Sequence, residues 1–550
     1  MSDAYDVIVI GAGHNGLVSA CYLARAGLKV CVLEQRPVVG GACVSEELWP
    51  GYQVSTTSYV STLFHPAIVR DFDLERHGYQ VYKQEPAFFH PFPDGRSLVL
   101  WGDEERDCAA YRQFSARDAE RLPQFHAALE RLADLARAIV PMIPPNLPTL
   151  RAAELLPALK LLRTVRRLEP DDLARLVEVA TTGILDYLEP WFESEQIRAF
   201  FCSQGVIGAY GGARTPGTAA LLLHDFLGGI EGARGVWGVV RGGMGAITRA
   251  LSAAARRRGA SIRTGARVRE ILVEARGGAG RMSGGAAEHE PGRAAGVVLE
   301  NGEVLRARVV ASNADPRRTF LGLTPRRFLP ASFLHAVERF RTLGASLKVH
   351  LALGELPNFT AAPTPLDGSP GPQHRGLIVI CPSPDYIERA WDDAKGGDFS
   401  KDPMVECCIH SVLDPSAAPP GKHIMSCFVQ YGARHLRQGS WAALKPTVAE
   451  RVIRVLAQYA PNLPRAVEHW HVYTPEDLEL EFGLTGGNIY QGAMTPEQLF
   501  SFRPVAGYSS YRSPVERLYL CGSGAHPGGG VWGAAGMNAA GVILKDLRRA

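Results

Sequence analysis

The chain of 550 residues lacks the patterns that mark several common classes of protein. None of its ten cysteines forms a Cys-x-x-Cys pair or a metal-ligand spacing, which excludes a local dithiol redox centre and gives no reason to expect a metal site. The formal net charge is only +3, without a basic arm or a stripe of basic and aromatic residues, so we expect no nucleic-acid partner. No segment offers the run of roughly 18 apolar residues that a membrane-spanning helix needs.

The start of the chain leaves little room for a targeting segment. A predicted buried strand begins by Asp6, so we expect neither a signal peptide nor a transit peptide. Several cysteines fall in predicted buried strands, which indicates reduced core thiols and a cytoplasmic protein. One amphipathic stretch, residues 159–168, has an apolar and a basic face. It is either a solvated helix face or a peripheral contact with a membrane surface.

A nucleotide-binding pattern is present near the N-terminus. The apolar run at residues 7–10 predicts a strand buried in a parallel sheet, and the turn after it carries Gly11, Gly13 and Gly16. In this pattern the first glycine permits a tight turn, the second lets the backbone approach a pyrophosphate, and the third lets helix and strand pack closely. Glu34 ends the next predicted strand and is placed to accept hydrogen bonds from a ribose. This order of elements predicts a βαβ unit that binds a dinucleotide.

Two further segments point to the same kind of ligand. Just after the acid come Arg36, a cation suited to phosphates, and the pair Gly40-Gly41, which suits backbone passing under an extended dinucleotide. Near the C-terminus, a predicted strand at 518–521 leads into the glycine-rich loop 522–533 and a final helix. So many glycines at a strand-to-helix transition indicate that the backbone comes close to a ligand, with the helix N-terminus aimed at it.

Together these motifs resemble the phytoene-desaturase-like FAD oxidoreductases of the amine oxidase superfamily, in the branch that includes pyridine nucleotide-disulfide oxidoreductase domain-containing protein 2. The motifs that carry the resemblance are Gly13-His-Asn-Gly16-Leu, Thr215-Pro-Gly217 with His224, Trp237 before Gly242-Gly-Met-Gly245, Gly486-Gly-Asn-Ile489, and residues 518–530. The resemblance covers nearly the whole chain. It implies noncovalent FAD in preference to NAD. It also implies an α/β fold (α+β overall), in which a Rossmann-like FAD-binding domain is joined to a substrate domain of mixed β-sheet and helices.

The resemblance further implies a division of the chain and a set of cofactor residues. We expect a discontinuous FAD-binding domain of residues 1–75, 225–320 and 505–550, and a substrate-binding domain of residues 76–224 and 321–504 with a helical insertion. The residues assigned to FAD are Gly11, Gly13, Gly16, Glu34, Arg36, Gly40, Gly41, Val268, Gly522, Ser523, Gly533 and Ala534. No second strand, glycine turn and helix for a nicotinamide is present, so we expect electrons to pass from substrate to flavin and then to oxygen, a quinone or another carrier.

The residues that carry the chemistry are less evident from the sequence. Hydride transfer to a flavin needs an oriented C–H bond and a dry pocket more than it needs acid–base groups. The candidates that flank the predicted flavin are His526, Trp532, Tyr210 and His224, each of which also fits a structural role. Two features depart from the relatives. Residues 54–58 replace an acid-x-glycine turn near the flavin, and Met537 stands where relatives usually have an arginine.

Three functions fit these features. The first is oxidation or desaturation of an apolar isoprenoid, lipid or acyl substrate, in an elongated pocket lined by the helical region before His224 and by residues 320–500. The second is an FAD amine oxidase, which needs an aromatic cage near the C-terminus, where the glycine run 528–530 leaves little room. The third is a flavoprotein with a mainly binding or regulatory role. The substrate, the electron acceptor and the oligomeric state are not specified by the sequence.

Overall fold

In a computed structural model, the chain forms two large β-sheets with helices packed around them. The structure describes residues 4–146, 159, 162–163, 166, 169–276 and 289–549. The amphipathic stretch 159–168 therefore lies largely outside the described residues, as does most of 277–292, where the composition predicts a hairpin loop. None of the helices within the described ranges is long and apolar enough to cross a membrane.

The described strands and helices follow one another along the chain with short connections. The strands are β1 (Tyr5–Ile10), β2 (Val30–Leu33), β3 (Ser45–Trp49), β4 (Tyr52–Ser55), β5 (Val81–Lys83), β6 (Phe88–Pro91), β7 (Ser97–Leu100), β8 (Gly229–Ile230), β9 (Ala233–Arg234), β10 (Gly238–Val240), β11 (Ser261–Arg263), β12 (Val268–Ala275), β13 (Gly292–Leu299), β14 (Val304–Ser312), β15 (Ser346–Leu353), β16 (Leu377–Ile380), β17 (Phe399–Ile409), β18 (His423–Gly432), β19 (Val467–Tyr473) and β20 (Leu518–Leu520). The helices are α1 (His14–Arg25), α2 (Pro66–Phe72), α3 (Glu104–Arg112), α4 (Ala116–Ile139), α5 (Pro170–Thr181), α6 (Ile184–Leu188), α7 (Glu195–Gly205), α8 (Ala219–Asp225), α9 (Gly245–Arg257), α10 (Ala331–Glu338), α11 (Pro384–Lys395), α12 (His410–Leu413), α13 (Trp441–Ala457), α14 (Leu463–Ala466), α15 (Pro475–Leu480) and α16 (Ala534–Leu547).

The first sheet contains the nucleotide-binding pattern. Its strands lie in the order β11-β2-β1-β14-β13-β12, and β20 pairs with the C-terminal half of β14. Strand β1 is parallel to β2 and β14, and β14 is parallel to β20, so the carboxyl ends of these strands meet at one edge. The turn after β1 and the loop after β20 both lie at that edge, where open α/β sheets bind their ligands. The predicted α/β fold with a parallel nucleotide-binding sheet is confirmed.

Burial explains why the apolar run of β1 takes the centre of this sheet. Val7, Ile8 and Val9 are fully buried, since helices cover the sheet and α1 packs against α16 and α9. A strand covered on both faces gains from apolar residues at every position rather than at alternate ones.

The second sheet has the order β19-β15-β18-β17-β16-β6-β7 and is antiparallel except between β16 and β6. Helices α4 to α8 form a separate layer with an aromatic core. The core includes Phe125, Tyr187, Phe192, Phe200 and Phe201. The strands of this sheet come from residues 88–100 and 346–473, while the domain boundaries themselves remain a prediction from the sequence.

Candidate active site

A groove of about 410 Å³ opens at the carboxyl edge of the first sheet. Its walls come from the turn after β1, the end of β2, the start of β12 and the loop at residues 482–484. Seven of the predicted cofactor residues line it: Gly11, Gly13, Glu34, Arg36, Gly41, Val268 and Ser523. The structure thus brings residues from both ends and the middle of the chain into one groove.

Close contacts explain the glycines of the first turn. Gly11 has a φ of +94°, a conformation that a side chain disfavours. A Cβ on Gly16 would lie 2.2 Å from the Gly11 carbonyl oxygen, and one on Gly13 would lie 2.9 Å from Asn313 Nδ2. The Gly40 amide donates to the backbone of the same turn at 3.0 Å. Only glycine therefore lets α1 begin so close to β1, with its free amides facing the groove.

Glu34 fixes this turn as well as facing the groove. Its carboxylate is buried, and it accepts a hydrogen bond from the Ala12 amide at 2.8 Å and another from the Arg36 amide at 2.9 Å. Each carboxylate oxygen has a further lone pair that a ligand hydroxyl can use. The predicted contact with a ribose is compatible with this position, and the two amide contacts were not anticipated from the sequence.

Unsatisfied polar atoms test whether the groove suits a dinucleotide. Three buried atoms along it, Arg36 Nη1, Asn15 Oδ1 and Gln491 Oε1, have no hydrogen-bond partner among the described residues. The rest of the Arg36 guanidinium is held firmly, because Nη2 donates to both carboxylate oxygens of Glu46 at 2.9 Å and the group lies 4.7 Å from the centre of the Phe482 ring. A fixed arginine with one unpaired N–H beside a helix N-terminus suits a pyrophosphate. The residues present therefore fit a dinucleotide such as FAD.

The C-terminal glycine loop closes the groove at one end. Ser523 lines the groove, and its hydroxyl accepts a hydrogen bond from Asn15 Nδ2 at 3.1 Å. A Cβ on Gly522 would lie 2.5 Å from a backbone oxygen of the loop after β14, which requires glycine there. Gly533 and Ala534 begin α16 but lie outside the groove lining, so their contact with the cofactor remains a prediction.

A second cavity, of about 150 Å³, adjoins the groove and is called the chamber below. The two share five lining residues, namely His14, Ala42, Leu484, Gln491 and Ser523. Residues 57–63 form one wall of the chamber, including the segment that departs from the family pattern. Because the chamber lies between the end of the groove and the second sheet, it is the candidate place for chemistry.

The chamber has one polar corner on the second sheet. Lys348 and Glu406 pair in register with the same residue, Phe428, on the strand between them, so both side chains lie on one face of the sheet. Glu406 accepts hydrogen bonds from the Tyr59 hydroxyl at 2.5 Å and from Gln204 Nε2 at 3.0 Å. The Lys348 ammonium nitrogen lies 3.5 Å from the centre of the Tyr59 ring.

Lys348 has unusual chemistry for a lysine. It is 2% exposed, and its Nζ has no hydrogen-bond partner in the part of the chain that the structure describes. Burial lowers the pKa of Lys348 to about 7, with nearby thiols and Glu406 acting in the opposite direction. Sequence reasoning missed this corner, although a charged residue within an apolar strand run, as at Lys348 and Glu406, was an available signal.

Of the four candidate catalytic residues, His224 is the one that lines the chamber. Its Nε2 lies 3.3 Å from the Gly529 carbonyl oxygen, and its ring packs edge-on against Tyr490 and Trp532, each with centroids 5.7 Å away. Trp532 donates its indole N–H to the same Gly529 oxygen at 2.8 Å and packs behind the chamber. The two residues thus hold the glycine loop against the helical layer.

Tyr210 and His526 have structural contacts outside the chamber lining. Tyr210 is 44% exposed and packs edge-on against Trp391 at 4.9 Å. His526 is buried, with Nε2 3.1 Å from the Ile139 carbonyl oxygen. Burial lowers the pKa of His526 to about 4, so the imidazole is neutral at physiological pH. Neither position supports a contact with a reacting atom.

A buried arginine that the sequence did not single out supports the C-terminal loop. Arg503 is fully buried and donates to the carbonyl oxygens of Ser523 (2.7 Å), Tyr490 (3.0 Å) and Ala493 (3.1 Å). It thereby ties the loop to the segment that forms one side of the chamber. Met537, where relatives usually carry an arginine, packs against the core of the first sheet.

Comparison with known proteins gives the family. Residues 16–544 match the flavin containing amine oxidoreductases. The chain belongs to this family. It is an FAD-dependent oxidoreductase, which confirms the predicted cofactor and class of enzyme.

Individual relatives refine this assignment. The chain is 41% identical over 560 residues to pyridine nucleotide-disulfide oxidoreductase domain-containing protein 2 of Rattus norvegicus, covering 99% of this chain and 94% of that protein. It is 28% identical to hydroxyneurosporene desaturase of Cereibacter sphaeroides, covering 98% of each. The structure of cyclohexylamine oxidase from Brevibacterium oxydans aligns over 100% of both chains with a TM-score of 0.58 at 16% identity, which shows a common fold. The predicted resemblance is confirmed, and the family includes both desaturases and amine oxidases.

Proposed function

We propose that this enzyme dehydrogenates or desaturates an elongated, mainly apolar substrate such as an isoprenoid, a lipid or an acyl compound. FAD, when bound, supplies the hydride acceptor. The chain itself has to bind the substrate beside the flavin end of the groove, orient one C–H bond and exclude water.

The observation that carries the proposal is a continuation of the chamber into the helical layer. A third cavity, of about 370 Å³, shares Gln204 and Trp237 with the chamber. Six of its lining residues are large and apolar: Phe88, Leu100, Phe200, Phe201, Leu222 and Phe226. Two cavities joined at Gln204 and Trp237 favour a long molecule over a compact one, and apolar walls favour a lipid-like one.

The amine oxidase alternative is supported by the fold shared with cyclohexylamine oxidase. An amine substrate brings a positive charge to the reaction site at neutral pH. In this chain Lys348 lines the chamber, and Glu406 already accepts two hydrogen bonds from Tyr59 and Gln204. A second cation beside a buried lysine is unfavourable, so the apolar substrate is preferred.

Anaerobic reduction of the bound flavin tests the proposal. The holoenzyme would be mixed with long isoprenoid alkenes and long-chain acyl compounds, with matched primary amines, and with NADH. We expect the flavin absorbance to bleach with at least one apolar compound and to persist with amines and NADH. Bleaching by amines alone would establish the amine oxidase alternative, and a flavin that no compound reduces would favour a binding or regulatory role.

A peripheral membrane contact would suit the delivery of such a substrate. The stretch that predicts it, residues 159–168, lies largely outside the described part of the chain, so this partner remains a prediction. Co-sedimentation of the full chain with anionic lipid vesicles would test it.

A further inference from the structure

The polar corner of the chamber has no role in holding the cofactor groove together. Lys348 borders the chamber, whereas the groove lining includes neither Lys348 nor Glu406. A buried ammonium without a hydrogen-bond partner is costly to a folded protein. Nothing that the structure places around Lys348 Nζ repays that cost with a hydrogen bond. The geometry therefore leaves N–H groups of this side chain available to a ligand.

Charge balance limits what that ligand can be. The lysine and the carboxylate of Glu406 lie on the same row of the second sheet, with Phe428 between them. An anionic ligand would add a second negative charge near Glu406, and a cationic ligand would add a second positive charge near Lys348. A neutral oxygen acceptor satisfies the lysine without adding charge. A carbonyl is the simplest case, since it has no proton that needs an acceptor.

The position of the corner also sets the orientation of the ligand. Gln204, which donates to Glu406, lines the third cavity as well as the chamber. A molecule with one end at Lys348 can therefore extend its apolar part past Gln204 into the helical layer.

We propose that the substrate is an apolar molecule with a neutral oxygen-bearing end, most simply a carbonyl group, which accepts a hydrogen bond from Lys348 Nζ in the chamber. This inference rests on the proposed function and narrows it from an apolar compound to one with a single polar end. It makes Lys348 a determinant of specificity, with Glu406, Tyr59 and Gln204 as its positioning residues.

Equilibrium binding to the FAD-loaded enzyme tests the inference directly. The probes are 2-dodecanone and n-dodecane, followed through the perturbation of the flavin absorbance. We expect the ketone to bind about tenfold more tightly than the hydrocarbon, which corresponds to one hydrogen bond to a charged or polar donor. This preference should disappear in Lys348→Met and persist in the control Lys401→Met, whose side chain is 78% exposed. Lys348→Gln, which keeps an N–H donor, should retain part of it.

Reductive trapping gives a second readout that does not depend on turnover. With decanal, the lysine nitrogen attacks the carbonyl carbon, water leaves, and added cyanoborohydride reduces the C=N bond to a stable secondary amine. The chain has nine lysines, so peptide mass spectrometry can locate the added mass. We expect Lys348 to be labelled at least ten times faster than Lys401 near neutral pH, and 2-dodecanone to protect it.

The outcomes separate this inference from the proposed function. Equal binding of ketone and hydrocarbon to the wild type, or labelling of Lys348 no faster than that of Lys401, would overturn the inference and leave an apolar substrate standing. Failure of both the ketone and the hydrocarbon to bind would overturn the proposed function together with the inference.

Discussion

The cofactor groove and the chamber differ in what they are made of. The groove depends on backbone: glycines without side chains, free amides at the start of α1, and a carboxylate that accepts from two amides. The chamber depends on side chains that project from separate elements, such as Lys348 on β15 and Glu406 on β17. A backbone site fails when anything is added to it, whereas a side-chain site changes its specificity one residue at a time. The predictions below test this difference.

The largest effect is expected from Gly16→Ala. The added Cβ would lie 2.2 Å from the Gly11 carbonyl oxygen, so α1 has to move away from β1. We expect a destabilisation of about 3 kcal/mol or more, as for overpacked cores, and purification of a protein with little bound FAD. The flavin-to-protein absorbance ratio and the thermal midpoint measure both effects.

The matched control is Gly541→Ala in α16. A Cβ at this position has no atom within 4 Å, and alanine favours a helix over glycine by about 1 kcal/mol. Full flavin content and an unchanged or higher midpoint are expected. If Gly16→Ala behaved like Gly541→Ala, the close approach of α1 to β1 would not be required for cofactor binding.

In the chamber, removal of a side chain should stabilise the protein. Lys348→Met replaces a buried amine by an apolar chain of similar length. We expect the free energy of unfolding to rise at pH 7 by on the order of 2–4 kcal/mol, since the wild type loses proton affinity on folding. Chemical denaturation of both proteins at several pH values measures this difference.

The pH dependence of that difference has a definite sign. The pKa of Lys348 is about 7 in the folded protein and about 10.4 in an unfolded chain, so between these values the unfolded state binds one more proton. Stability of the wild type therefore rises with pH through this window, and its deficit relative to Lys348→Met should shrink toward pH 10. The titratable groups that face Lys348 are Glu406, Tyr59, His350, His410, Cys407, Cys408 and Cys427. Both proteins contain them, so the difference isolates the lysine. A gap that stayed constant from pH 7 to pH 10 would show that the lysine is not the cause.

Removal of a side chain from the groove should cost cofactor affinity instead. Glu34→Ala removes an acceptor from the amides of Ala12 and Arg36 and a contact for the ribose. We expect the Kd for FAD to rise about 10- to 100-fold, or about 1–3 kcal/mol. Titration of the apoprotein with FAD measures it. Glu300→Ala, at an exposed residue of the same groove, should change the Kd by less than about threefold.

The same contrast explains what the sequence could and could not predict. The βαβ unit was predictable because its glycines and Glu34 follow one another within a short stretch and each meets a local geometric need. Lys348 and Glu406 were not predicted, because they stand in apolar runs and share a face only through register pairing with Phe428. Side chains that meet through tertiary packing leave no spacing signal in the sequence.

The catalytic candidates illustrate the same limit. Tyr210 and His526 were chosen because glycines surround them, but glycine-rich segments also form turns that pack against neighbouring elements. The structure places the Tyr210 ring against Trp391 and the His526 imidazole against the end of α4. Of the pair His224 and Trp532, His224 reaches the chamber lining.

The smallest effect is therefore expected at Tyr210. Tyr210→Phe keeps the ring against Trp391 and removes a hydroxyl from a residue that is 44% exposed, so kcat and KM should stay within about twofold of the wild type. His224→Leu removes a ring that lines the chamber and lies against the glycine loop, so kcat/KM should fall about tenfold through misplacement of the substrate. Steady-state kinetics with the compound that bleaches the flavin would compare the two. A large loss in kcat for Tyr210→Phe would return this tyrosine to the reaction site and show that the chamber has a different extent in the working enzyme.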